Sequence, residues 1–117
     1  MNSDELRNEL GILKIHKNAI TSISSIAAIE IDGVKRVGKD LKSMLFELAG
    51  HKFSSAIKVE ISKNEEVKVE IPLIIKYGYN IPEVAKNVQE NVRMALEKMS
   101  NLSIKDINVS VQGIERG

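Results

Sequence analysis

The chain has 117 residues, with 17 Lys and Arg against 16 Asp and Glu, no Cys, and only four aromatic side chains, two Tyr and two Phe. This length fits one domain that buries roughly two-thirds of its unfolded surface, and a hydrophobic share of 43% excludes a disordered chain. The lack of Cys excludes a disulfide framework, a thiolate nucleophile and a Cys-based zinc site, and no uncharged run approaches the roughly 20 residues of a membrane span.

The first half of the chain predicts a flexible start, a strand and two helices. Residues 1–10 carry four charged side chains, which favours a flexible N-terminus of a cytoplasmic protein over a secretory signal. Residues 11–15 predict a first strand, and residues 17–31 predict a helix with one broad apolar stripe. The stripe consists of Ile20, Ile23, Ile26, Ala27 and Ile29. A turn follows at residues 32–33, and residues 40–50 predict a short helix that begins at an Asp cap and ends at Gly.

The middle of the chain predicts a β-hairpin. Residues 57–61 and 67–71 both alternate apolar with charged side chains, and residues 63–66 form a polar connector of hairpin length. Lys and Glu are therefore expected to face each other across an antiparallel pair. Pro72 lacks a backbone donor, so the second strand is predicted to be an edge or to be bulged there. The apolar run over residues 71–75 predicts cover on both faces of the sheet.

The strongest helix signal begins at Asn80. Asn80 is a favourable N-cap, Pro82 lies where no amide donor is needed, and Glu83 completes a variant of the capping box. The predicted buried stripe of this helix is Val84, Val88, Val92, Leu96 and Met99. Residues 107–111 alternate again and predict the last strand.

The predicted order is strand, helix, short helix, hairpin, helix, strand. This order is typical of an α+β fold with a mixed or antiparallel sheet of about four strands and helices packed mainly on one face. We expect a single domain over residues 11–114, followed by a short tail over residues 115–117.

Catalytic, cofactor and metal sites are not predicted. His16 and His51 have no carboxylate or second His at the spacing that a metal site needs, and the Ser residues near position 24 lack the small-residue elbow of a nucleophile. Glu65 and Glu66 lie at the expected hairpin tip. Both carboxylates are expected to be fully solvated there, so no neighbouring group prepares them for acid–base catalysis. We therefore expect a protein that is not an enzyme and needs no cofactor.

One segment is unusually basic. Residues 35–58 have a local net charge of +4, and the candidates for a basic patch are Lys35, Arg36, Lys39 and Lys42. Such a patch suits the phosphates of nucleic acid or of anionic lipid head groups, or it is simply a solvated face. Because base stacking needs aromatic side chains and the chain has so few, nucleic acid is the weaker expectation.

A motif at the start of the strongest helix carries a family resemblance. Residues 77–92 read YGYNIPEVAKNVQENV, which resembles the signature of the alkaline shock protein family, the bacterial envelope stress response proteins. Residues 11–15, 26–34, 57–59 and 108–114 fall in the order of the same family, so the resemblance covers nearly the whole chain.

The resemblance implies a non-enzymatic binding or scaffold protein in cell-envelope stress response and homeostasis. It implies a cytoplasmic protein that self-associates and is held at the inner face of the membrane by a membrane-anchoring protein. An alternative role is regulation of fatty-acid synthesis through a subunit of acetyl-CoA carboxylase, and a nucleic-acid-binding role over residues 35–42 is the further alternative. The polar motif residues Gln89, Glu90 and Asn91 are the predicted partner-binding surface. Self-association is expected through the hairpin edge near Pro72 or through the first helix.

Overall fold

The computed structural model describes residues 3–38, 56–99 and 103–117, with side chains from residue 16 onward. The described elements, in chain order, are α1 (Ser3–Ile29), β1 (Val34–Val37), β2 (Lys58–Ile61), β3 (Glu66–Lys76), α2 (Ile81–Met99) and β4 (Ser103–Glu115). The predicted short helix over residues 40–50 lies outside the described residues. The division into an N-terminal tail, a domain from residue 11 and a C-terminal tail stays a prediction.

The described strands form one mixed sheet with β3 at its centre. β4 pairs with β3 in parallel along its whole length, because α2 carries the chain back to the starting end before β4 begins. β2 and β1 share the opposite edge of β3, and both pair with it antiparallel. The predicted α+β class is confirmed, with both helices on one face of the sheet.

A single core lies between this sheet and the helices. Alternate residues of β3 supply one side of the core, and the stripe of α2 supplies the other. The stripe is confirmed at Val84, Val88, Val92 and Leu96, whereas Met99 is 71% exposed because the helix ends there. Over residues 16–29 of α1, where side chains are described, the buried residues are Ile20, Ser24, Ala27 and Ala28. The predicted stripe of α1 is therefore too wide, since Ile26 and Ile29 face away from the core.

Two predictions near the N-terminus are wrong. Residues 11–15 do not form a strand, because α1 runs through them from Ser3. The first strand of the sheet is instead β1, which was not predicted and which begins directly after the predicted turn at residues 32–33. Neither of the two described helices combines the length and the hydrophobicity of a membrane span.

The hairpin is confirmed, and Pro72 has an unexpected place in it. Lys58 lies opposite Glu70, and Glu60 opposite Lys68, as the alternation predicted. Residues 71–75 are buried on both faces. Of the two alternatives predicted for Pro72, an edge or a bulge, the edge is wrong, because β3 is the central strand. The Pro72 carbonyl accepts a 2.8 Å hydrogen bond from the Gly38 amide. Because the nitrogen and the carbonyl of one strand residue point to the same edge, the ring nitrogen of Pro72 faces the gap between the end of β1 and the start of β2, where no donor is needed. The pairing with β4 shifts register next to it, between Leu73 and Ile74.

Candidate interaction surfaces

The motif that opens α2 joins three strands at one end of the sheet. The Lys76 amide donates to the Gly33 carbonyl at 2.7 Å, and the Tyr77 amide donates to the Glu115 carbonyl at 2.7 Å. These bonds hold the start of β1 and the end of β4 on either side of β3. The chain then turns at Gly78, whose φ of 94° lies in the left-handed region that favours glycine.

The start of α2 packs directly on the turn between α1 and β1. Gly33 has a φ of 97°, and a Cβ placed on it would lie 2.7 Å from Cδ1 of Tyr79 and 2.8 Å from Cγ2 of Val84. The helix is capped as predicted, since the Asn80 side-chain oxygen accepts a 3.1 Å hydrogen bond from the Glu83 amide. The motif therefore holds the start of α2 close against the turn between α1 and β1 and fixes the residue at which the helix begins.

The three predicted partner-binding residues lie around α2 in three different directions. Gln89 donates through Nε2 to the Ile107 carbonyl of β4 at 2.9 Å. Asn91 points to α1 and donates through Nδ2 to the Ala27 carbonyl at 2.7 Å. Glu90 lies between them and is exposed. Successive helix residues are about 100° apart, so a triplet in sequence cannot form one flat surface. Their role in partner binding stays a prediction.

Arg93 completes the link between α2 and the beginning of β4. Its guanidinium donates to the Ile104 carbonyl at 2.9 Å, and it lies 3.8 Å from the Glu97 carboxylate one turn along the helix. The pairing with Glu97 follows from helical spacing, because residues four apart lie on the same side of a helix. The contact with β4 was not predicted, because nothing in the spacing of α2 shows which strand lies beneath it.

A polar groove of about 440 Å³ runs between the outer side of α2 and β4. Its lining residues are Lys86, Gln89, Glu90, Arg93, Asp106, Ile107 and Asn108. The groove contains both signs of charge and includes two of the three predicted motif residues. Among the described residues, no group of three His, Asp or Glu side chains is arranged to hold a metal ion.

Half of the predicted basic patch lies at the other edge of the sheet. The Arg36 guanidinium pairs with the Glu115 carboxylate at 2.6 Å, and Lys35 donates through Nζ to the Arg116 carbonyl at 3.0 Å. Both side chains therefore reach across β3 to the end of β4. Lys39 and Lys42, the other two candidates, lie outside the described residues. In the described half, one of the two cations is already paired with a carboxylate.

Comparison with known proteins gives a family and a fold. The model of the alkaline shock protein family, which is described as having a cell envelope-related function, matches residues 5–116. The chain is 32% identical over 113 residues to the uncharacterised protein YqhY of Bacillus subtilis, which covers 96% of this chain and 83% of YqhY. It is 30% identical over 115 residues to the uncharacterised protein YloU of the same bacterium, which covers 96% of this chain and 95% of YloU.

Solved structures of MamM CTD variants share the fold. Two of them superpose with a TM-score of 0.52 at 14% sequence identity, covering 84% of this chain and 95% or 98% of theirs. At that identity the likeness shows the arrangement of helices and strands, and it extends over most of both chains.

Proposed function

This chain belongs to the alkaline shock protein family, whose function is related to the cell envelope, and from that premise we propose that it is a non-enzymatic binding protein of the cell envelope. In this proposal it acts in the cytoplasm by self-association and by holding a protein partner. The partner is a membrane-anchoring protein that keeps the chain at the inner face of the membrane.

The groove between α2 and β4 is the observation that carries the proposal. Lys86 and Arg93 bring positive charge to it, and Glu90 and Asp106 bring negative charge. Such a mixed lining suits a protein segment with polar side chains of both signs, whereas a phosphate-rich ligand needs an excess of positive charge. The groove walls are held in place because Gln89 and Arg93 bond the β4 backbone.

The basic patch gives less support to the nucleic-acid alternative. Each cation that neutralises a phosphate must be free to do so, and Arg36 is already paired with Glu115. We therefore propose that the binding surface is the groove, with Glu90 in its lining.

Site-specific photocrosslinking in cells that produce this chain tests the proposal. A photoreactive residue in place of Glu90 should crosslink a protein of the membrane fraction, because its side chain lines the groove. The same residue in place of Lys63, exposed in the turn between β2 and β3, is the matched control. If both positions give the same adducts, or Glu90 gives none, the proposal is wrong. A carboxylase subunit in the Glu90 adduct would favour the fatty-acid alternative over the envelope role.

A further inference from the structure

In the part of the chain that the structure describes, the outer edge of β4 is open over its second half. In a strand, alternate residues direct their N–H and C=O groups to opposite edges. The Glu115 carbonyl faces β3, because it accepts from Tyr77, whereas the Ile107 carbonyl faces outward to Gln89. Counting on from Ile107 through the register shift between β3 and β4, the outward-facing residues are Val109, Val111 and Ile114. Their outward groups bond no strand in the described part of the chain.

The open half exists because α2 crosses the sheet diagonally. At its start, α2 lies toward the far side of β3, where Val84 packs against Gly33. Between one and three turns later it lies at the β4 edge, where Gln89 and Arg93 bond the backbone carbonyls of the first half of the strand. The helix therefore covers the first half of β4 and leaves Val111 37% and Ile114 50% exposed on the same face.

This open edge contains a register shift, which is one device that discourages pairing, but it lacks charged residues and Pro. Exposed edge strands commonly carry charged residues or Pro, which discourage the addition of another strand. Residues 107–114 read INVSVQGI and contain neither. Two apolar side chains, Val111 and Ile114, stand exposed on one face of this stretch, which is uncommon for a strand that remains unpaired.

We propose that the second half of β4 pairs antiparallel with β4 of a second copy of this chain, about a two-fold axis at Val111. The register follows from the outward-facing groups. With Val111 opposite Val111 of the second copy, Val109 lies opposite Ile114, so all the outward N–H and C=O groups meet one another. On the other face, Asn108 lies opposite Glu115, so no two like charges face each other. The two sheets become one continuous sheet.

The inference rests on the self-association in the proposed function, and it assigns that self-association to the second half of β4. The two copies bring six apolar side chains together in one row, from Val109, Val111 and Ile114 of each. Because each α2 covers the first half of its own β4, the two helices flank this row at opposite ends. The partner groove beside Glu90 lies with the first half of β4, and its lining meets the pair at Asn108, which lies opposite Glu115 of the second copy.

A charge exchange at the two-fold axis tests this pairing. Val111→Lys and Val111→Glu each place two like charges opposite each other, so each variant alone should sediment at the protomer mass of 13.0 kDa. An equal mixture of the two variants should recover the wild-type mass, because Lys then faces Glu. Met94→Lys is the control: Met94 is also exposed, lies one turn from Asn91 on the α1 side of α2, and should leave the wild-type mass unchanged.

Disulfide crosslinking gives an independent measurement. Since the chain has no Cys, Val111→Cys introduces a single thiol, and residues directly opposite in an antiparallel pair lie within disulfide reach. Oxidation should give a covalent dimer of Val111→Cys and none of Met94→Cys. If wild type is an oligomer but the Val111 variants keep its mass and do not crosslink, the edge pairing is wrong and the proposed self-association stands. If wild type itself sediments at 13.0 kDa, both are wrong.

Discussion

Substitution of Gly33 by Ala tests how the motif places α2. Gly33 is buried between the end of α1 and β1, with a φ of 97°. An added Cβ would lie 2.7 Å from the ring of Tyr79 and 2.8 Å from Cγ2 of Val84, closer than real Cβ contacts come. Tyr79 is partly exposed and can turn aside, but Val84 is buried in the core and cannot. The change therefore combines backbone strain with a steric clash.

The two contributions can be separated because Gly78 provides a matched control. Gly78 has nearly the same φ, 94°, but a Cβ there would have nothing within 4 Å. An Ala in the left-handed region costs about 1–2 kcal/mol, and overpacking of a core adds about 1–3 kcal/mol. We expect Gly78→Ala to lower the free energy of unfolding by about 1–2 kcal/mol, and Gly33→Ala by about 2–5 kcal/mol.

Urea unfolding followed by circular dichroism of the helices measures both changes. The midpoint and slope of each curve give the free energy of unfolding for wild type, Gly33→Ala and Gly78→Ala. A Tyr79→Ala change added to Gly33→Ala should recover part of the loss, because it removes one of the two clashing side chains. Equal losses for the two Gly variants would refute the close packing of α2 on the turn.

Three further substitutions test the contacts of the helices by the same unfolding assay. Asn91→Ala should lower the free energy of unfolding by about 1–2 kcal/mol, because the Ala27 carbonyl loses its donor. The control is Glu90→Ala, at the exposed neighbour, which should change the free energy of unfolding by less than about 0.5 kcal/mol. Equal losses for the two variants would contradict the link between α2 and α1. Ser24→Ala should raise the free energy of unfolding by about 1 kcal/mol, since the buried hydroxyl has no partner among the described residues, and a loss instead would mean that the hydroxyl is bonded. Asn80→Ala should lower it by about 1 kcal/mol through loss of the N-cap, and an unchanged value would argue against that cap.

The elements that the sequence predicted correctly are those whose signal is local and regular. The hairpin has strict alternation on both strands, and α2 has a cap, a Pro at its first turn and a stripe at helical spacing. Such patterns state both the type of element and the face that it buries. The α+β class followed from the order of these elements, because a helix between two strands carries the chain back over the sheet.

The errors occurred where local pattern and tertiary structure disagree. Residues 11–15 contain a Gly, which costs about 1 kcal/mol in a helix relative to Ala, yet α1 continues through them. Extending a helix that has already formed adds one hydrogen bond for each residue ordered, so one unfavourable residue does not stop it. β1 has two adjacent charged residues and a register shift between Val34 and Arg36, so it shows no alternation for a sequence to reveal.

The candidate partner-binding site was predicted as three consecutive residues, and in the structure their side chains point in different directions. The side-chain amides of Gln89 and Asn91 donate hydrogen bonds to backbone carbonyls of β4 and α1. Substitution of either residue therefore changes the position of α2 as well as the surface available to a partner. Glu90 is exposed between them, and a change there alters the groove alone. A loss of partner binding in a Gln89 or Asn91 variant therefore does not separate recognition from folding. A loss in Glu90→Ala with an unchanged free energy of unfolding does, and it would place recognition in the groove.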